Sequence, residues 1–308
     1  MFQIIINLLL TSFFLQAQAM APGSLLLPAN NLPQAEDRPA IKMMPQRDFS
    51  KASLGVKVTA QSFLVIEPES GAILYEQNSK DVRSIASITK LMTALVFLEH
   101  NPGWNNDFTI SKDDYRSGGT VYFNAGDIVT IKDVFYVTLV ASSNEGAVAL
   151  ARSTGLSVDQ FVAEMNKKAK QMGMTSSHFA DPTGLNSANK SNAEDIIRMA
   201  KEVFSHPEIK KAVSSKEYSF AIKNSNITRR AESTDKILGK NFGVGANNYT
   251  LEAGKTGYIE MAGYCLTSEI QDKNNRKLLI AVLGSSSTND RFLDTKSLAY
   301  WAFNNYKW

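Results

Sequence analysis

SFLVIEPESGAILYE, residues 62–76, reads as a strand (Ser62–Glu67), a turn at Pro68-Glu69-Ser70-Gly71 and a second strand (Ala72–Glu76). The next strand signals come only past Lys255, where Gly263–Ile270 and Lys277–Leu283 alternate or run apolar. Between them the period is helical. Ser84–His100 places Ile88, Leu91, Met92, Leu95 and Leu98 at helical spacing and stops at Asn101-Pro102-Gly103. Residues 131–152, 158–171 and 191–204 also read as helical, and 289–304 as a closing helix. Strands, a long helical block and strands again predict an α+β protein, with one sheet built from both chain ends and a helical lobe inserted between them.

Of the 308 residues 44% are apolar and 20% charged, enough chain to bury a sizeable core. The 33 Lys and Arg against 30 Asp and Glu leave a net charge of +3, too small to mark a nucleic-acid binder. A single cysteine excludes an internal disulfide. With three scattered histidines and no His-Glu-x-x-His string there is no zinc framework either, and neither metal nor cofactor is expected.

The first 19 residues carry no charge, Ile4–Leu15 is mostly apolar, and Ala17-Gln18-Ala19 has the small-x-small form of a signal-peptidase site. The run is too short, and too interrupted by Asn7, Thr11 and Ser12, for a membrane span. Export to the periplasm after removal of a 1–19 signal peptide is the expectation; an uncleaved interfacial anchor is the alternative, because no Lys or Arg precedes the apolar run. A lone cysteine suits an oxidising compartment. Residues 20–56 hold five of the nine prolines (Pro22, Pro28, Pro33, Pro39, Pro45) and read as an extended linker, leaving 57–308 as the folded domain. No amphipathic membrane anchor is expected after the closing helix.

Three short strings could carry chemistry. In Ser87-Ile88-Thr89-Lys90 a hydroxyl and an amine stand at i and i+3 on the start of an apolar helix, so the amine can reach the oxygen. A serine is a poor nucleophile until a base takes its proton. The helix N-terminus adds free N–H groups and a positive dipole end. Ser-x-x-Lys recurs at Ser187–Lys190 and Ser233–Lys236, and the plain alternative is a helix-opening serine beside a solvated lysine. Ser142-Ser143-Asn144 sits where two apolar helical stretches meet; it could supply a second hydroxyl and a substrate-binding amide, or simply cap the second helix. Gly254-Lys255-Thr256-Gly257 looks like a phosphate loop but lacks the earlier glycine, since Tyr249 stands there; followed by Tyr258-Ile259 it reads as the start of a strand, or as a tight turn.

Each string is weak alone, but their order is specific. Ser-x-x-Lys, Ser-x-Asn and Lys-Thr-Gly follow one another with gaps of 55 and 113 residues, the signature set of penicillin-recognising serine acyltransferases. With SIASITKL (Ser84–Leu91), Ala125-Gly126-Asp127, VASSNEGAVALA, FADPTGL (Phe179–Leu185) and GKTGY, the chain resembles the low-molecular-mass penicillin-binding proteins of the D-alanyl-D-alanine carboxypeptidase/endopeptidase family, peptidase family S11, from about Thr59 onward. It is most similar to the short periplasmic endopeptidase branch.

The resemblance implies the antiparallel transpeptidase fold of β-lactamases and DD-peptidases, acting on peptidoglycan stem peptides or cross-links and acylated by β-lactams. It implies Ser87 as nucleophile, Lys90 as its base and Ser142, helped by Lys255, as proton relay to the leaving amine. Asn144, Lys255, Thr256, Gly257 and Tyr258 would bind substrate, the Ser87 and Tyr258 N–H groups would form an oxyanion hole, and Arg291 would face a substrate carboxylate. Gly146 stands where the family more often has alanine.

A class A β-lactamase would also need a Glu-x-x-Asn loop, and between Asn144 and Lys255 no glutamate has an asparagine three residues on. A Ser-His-Asp hydrolase would need a Gly-x-Ser-x-Gly elbow, and none is present; His178, beside Phe179, is expected to be structural. A catalytically inactive cell-wall-binding protein would have lost a motif residue, and none is lost.

Overall fold

The computed structural model describes residues 44–243 and 248–308; the expected signal peptide and the linker up to residue 43 lie outside the described residues. Two early strands, β1 (Ser62–Ile66) and β2 (Ile73–Gln77), join four late ones, β3 (Asn241–Phe242), β4 (Tyr249–Ile259), β5 (Gly263–Asp272) and β6 (Lys277–Ser285). The sheet order is β3-β4-β5-β6-β1-β2, every neighbouring pair antiparallel. The two chain ends meet at β6 and β1, where Ile280 pairs with Val65 and Leu279 with Ile66.

The inserted lobe holds α1 (Thr89–Glu99), α2 (Ile131–Val140), α3 (Asn144–Ser153), α4 (Val158–Gln171), α5 (Ala193–Ser205) and α6 (Pro207–Val213); α7 (Thr288–Asn305) closes the fold. Both faces of the sheet are covered. Phe63, Val65, Leu278, Ile280 and Val282 pack with Leu298, Ala299 and Ala302 of α7. Leu64, Ile66, Leu279, Ala281 and Leu283 pack toward the lobe. Double burial is why SFLVI and LLIAVL read as continuous apolar runs, with both parities of side chain in a core.

At the centre of the lobe α1 is buried at every residue from Thr89 to Phe97. A helix apolar on all sides belongs in a core, so the lysine in its first turn is drawn inside. Helices α2 and α3 are separated by Ala141-Ser142-Ser143. Ser142 takes φ +61°, in the left-handed region, and Ser143 Oγ caps α3 by accepting the Gly146 N–H at 2.8 Å. The plain capping reading of this break thus holds for Ser143. At Gly146 an added Cβ would stand 2.6 Å from Thr138 Oγ1, so Thr138 fills the space an alanine would need.

Four expectations change. The helix read over 84–100 starts only at Thr89, because Arg83–Ser84 pairs with Lys190–Ser191 and Ala86–Ile88 forms one 3-10 turn. The Lys-Thr-Gly strand does not start at the motif; it begins at Tyr249, with the motif in its second half. Helix α6 and the hairpin Glu217–Ala221/Thr228–Glu232 were not anticipated. The last part of the linker is not free. Gln46–Arg47 pairs with Tyr306–Lys307, Arg47 Nη1 donates to the Asn305 carbonyl at 2.7 Å, and Trp301 Nε1 donates to Ser53 Oγ at 2.9 Å. The domain therefore begins before residue 57, near Gln46. Among the described residues no helix is long and apolar enough to cross a membrane.

Candidate active site

The site forms where the turn before α1, the α2–α3 break and the second half of β4 converge. Ser87 sits on the 3-10 turn, behind Ala86 at φ +47°. A non-glycine residue held there stores roughly 1–3 kcal/mol of backbone strain, and such strain clusters at functional sites. The turn is clamped between two glycines. A Cβ on Gly257 would lie 2.9 Å from the Ile85 carbonyl oxygen and 3.1 Å from Ser87 N, and one on Gly184 would lie 2.0 Å from the Ala86 carbonyl oxygen. Only a residue without a side chain lets either backbone come so close.

Lys90 is fully buried, and its Nζ meets three acceptors: Ser87 Oγ at 2.9 Å, Asn144 Oδ1 at 2.8 Å and the Thr183 carbonyl at 2.7 Å. Burial pushes the amine down from 10.5 to about 7, against the pull of the Asp181 and Glu145 carboxylates. Once neutral, the amine has two N–H groups and one lone pair. Asn144 Oδ1 and the Thr183 carbonyl can only accept, so they take the two N–H groups and leave the lone pair facing the Ser87 hydroxyl. That is the geometry a base needs.

A second serine–lysine pair lies alongside. Lys255, 1% exposed, donates to Ser142 Oγ at 2.7 Å and to the Thr256 carbonyl at 3.0 Å. Its amine is also held well below the ordinary lysine range, by burial first and then by the positive charges of Lys90 and Arg291. Asn144 bridges lobe and cleft, its Nδ2 donating to the Gly118 carbonyl at 2.8 Å. Thr256 Oγ1 hydrogen-bonds Thr234 Oγ1 at 2.6 Å, and Arg291, from α7, donates to the Gly257 carbonyl at 3.2 Å. Tyr258 is half-exposed and stacks on Tyr264 at 4.3 Å.

All nine residues singled out in the sequence come together. Ser87, Ser142, Asn144, Thr256, Gly257, Tyr258 and Arg291 line a cleft of about 580 Å³, while Lys90 and Lys255 lie buried beneath it. Among the described residues β4 is paired on that side only at Tyr249 and Thr250 with β3 and at Leu251 with Leu238, so its second half, which lines the cleft from Thr256 to Ile259, has no strand beside it there and can take an extended chain as an added strand. His178 is exposed and pairs through its backbone with Lys190, away from the cleft.

Sequence reasoning missed the carbonyl of Thr183 and the residue that holds it. The Asp181 carboxylate accepts from the N–H groups of Gly184 and Asn186, each at 2.7 Å, and so fixes the Asp-Pro-Thr-Gly turn against Lys90. Only the turn chemistry of that tetrapeptide signals it. Gly184 has φ +84°, so Gly184→Ala combines backbone strain with a collision against the nucleophile's turn. A loss of about 3 kcal/mol is expected, or a fall in Tm of roughly 6–12 °C by thermal melting. An unchanged Tm would show that the turn can withdraw.

This geometry coincides with one known family. The D-alanyl-D-alanine carboxypeptidase family of peptidases, S11, matches residues 47–287. The chain is 30% identical over 254 residues to the D-alanyl-D-alanine carboxypeptidase DacF of Bacillus subtilis, covering 80% of this chain but 63% of that protein, less than two thirds of its length. It is 33% identical over 242 residues to a D-alanyl-D-alanine endopeptidase of Haemophilus influenzae, covering 76% of this chain and 77% of that protein. Among solved structures, penicillin-binding protein D2 of Listeria monocytogenes in its cefotaxime-bound form superposes with a TM-score of 0.69 at 26% identity, covering 82% of this chain and 100% of that one. By sequence match and by fold, the chain belongs to the peptidase S11 family.

Proposed function

We propose that the protein is an exported serine D-alanyl-D-alanine peptidase that cuts peptidoglycan stem peptides through an acyl-enzyme on Ser87. The observation that carries this is the buried Lys90 amine, 2.9 Å from Ser87 Oγ with its two remaining directions taken by carbonyl oxygens. Lys90 takes the Ser87 proton as Oγ attacks the D-alanyl carbonyl carbon. The Ser87 and Tyr258 N–H groups receive the developing oxyanion, a kind of contact worth about 10²–10³ in turnover per donor. The proton reaches the leaving amine through Ser142, whose oxygen is already bonded to Lys255. The substrate lies along the free edge of β4 at Lys255–Tyr258, its peptide held by Asn144 and its carboxylate by Arg291. Water then hydrolyses the ester. β-Lactams enter the same route and stay attached, because the chain lacks the Glu-x-x-Asn loop that would speed release.

Cross-linked peptide is proposed as the preferred substrate. The chain covers 77% of the length of the endopeptidase it matches but 63% of that of the carboxypeptidase, which supports this order. Purified protein incubated with cross-linked muropeptides, with products resolved by mass, should convert dimers to monomers faster than it removes a terminal D-alanine from pentapeptide monomers. Release of D-alanine alone would assign a carboxypeptidase, and neither product would end the hydrolase reading.

A further inference from the structure

Burying positive groups together calls for a nearby negative one. Lys255 and Arg291 are 1% and 7% exposed, the first on the Lys-Thr-Gly strand itself and the second donating to that strand's Gly257 carbonyl. Behind that strand is a carboxylate without an assigned role. Asp235 is 5% exposed; Oδ1 accepts the Ile237 N–H at 3.0 Å, while Oδ2 is buried with no hydrogen-bond partner among the described residues. Arg291 Nε is likewise buried and unpartnered. Oδ2 lies 2.6 Å from where a Cβ on Gly254 would be, so the carboxylate rests on the backbone just before Lys255. The preceding residue, Thr234, is fastened to Thr256. Asp235 is thus held against the motif from both ends.

We infer that Asp235 is a positioning residue for the active site, the buried counter-charge packed behind Gly254 that favours the protonated form of Lys255 on Ser142 and the cation of Arg291 beside the strand. Its charge favours the cationic form of both, whereas Lys90 and Arg291 oppose that form at Lys255. The carboxyl itself is pushed up to about 6 by burial, so it is ionised above that pH and available where the enzyme works. This rests on the acyl-enzyme reading, in which a protonated Lys255 supports proton delivery through Ser142.

The test is Asp235→Asn, which keeps the shape and the acceptor for Ile237 while removing the charge. Across pH 5–10, wild type and variant are compared for turnover of a muropeptide and for acylation by benzylpenicillin. The alkaline limb of turnover should move down by about one unit or more in the variant, a fall of at least about tenfold at pH 9, while the acid limb set by Lys90 stays in place. Superimposable limbs, or a uniform fall at every pH, would overturn the proposal, since a merely structural role scales the whole profile. If the variant does not fold, ¹⁵N-lysine NMR of the wild type decides. The Lys255 Nζ signal should show a step near pH 6 as Asp235 titrates, and a titration without that step would overturn it. Wild type that forms no covalent adduct would end the acyl-enzyme reading instead, and the NMR titration would still report on the Asp235–Lys255 pair.

Discussion

Ser87→Ala should leave the protein folded and unable to form a covalent adduct with benzylpenicillin, read as absence of the mass shift in the intact protein. Loss of the nucleophile in serine hydrolases costs on the order of 10⁶ in turnover. The prediction is sharp because the cleft holds two serines, each hydrogen-bonded to a buried lysine, at 2.9 Å for Ser87–Lys90 and 2.7 Å for Ser142–Lys255. Distance alone does not choose between them. Two features favour Ser87. Its lysine has both N–H directions taken by carbonyl oxygens, so the lone pair is aimed at the hydroxyl. Its own N–H lies beside Gly257 on the Lys-Thr-Gly strand, where an oxyanion would be received. Ser142 opens into the same cleft and also precedes a helix N-terminus, that of α3, so the helix end does not choose between them, but Lys255 donates to it from among other cations. An adduct that survives in Ser87→Ala and maps to Ser142 would exchange the roles of the two pairs.

What was legible in the chain follows from where the information resides. Strands β1 and β6 were readable because both of their faces are in cores, so the apolar runs are unbroken. Lys90 stood out because the helix around it is apolar on every side, and a charge there has no route to solvent. The hairpin at 217–221 and 228–232 was not readable. Exposed residues alternate there with Tyr218 and Phe220 and with Arg229 and Ala231, but the inward set is two residues per strand and includes an arginine, too short an alternation to stand out. Helix α6 spans seven residues and follows α5 through a proline, too short for its own period to show. Within the site, the three motifs were found because side chains carry them. The Thr183 acceptor is a backbone carbonyl, which leaves no residue signature, and Asp235 stands in Ser-Thr-Asp-Lys, a string that reads as an ordinary loop.

Lys90→Met should slow acylation by about 10²–10⁴, the usual contribution of a positioned base, without unfolding the protein. The wild-type pH profile carries the reason. An unperturbed lysine at 10.5 would be neutral in only about one molecule in three thousand at pH 7. Burial brings Lys90 to about 7, so about half of the molecules hold a usable base. Acylation should therefore rise about tenfold per unit up to pH 7 and then level off, and that limb should vanish in Lys90→Met. The depressed value has a cost in stability. Unfolded chain binds the proton more tightly between 7 and 10.5, so wild-type stability rises with pH through that window and the full cost is felt below it. Near neutral pH the cost is about 4 kcal/mol. Methionine removes it but leaves Asn144 Oδ1 and the Thr183 carbonyl without their donor, at about 1–3 kcal/mol each. The two effects nearly cancel, so the variant should melt within a few degrees of wild type at pH 7. It should then fall behind as pH rises toward 9, because only the wild type gains. Wild-type acylation rates in Lys90→Met, or an acid limb that persists there, would remove Lys90 as the base and return the proton to Lys255 or to water.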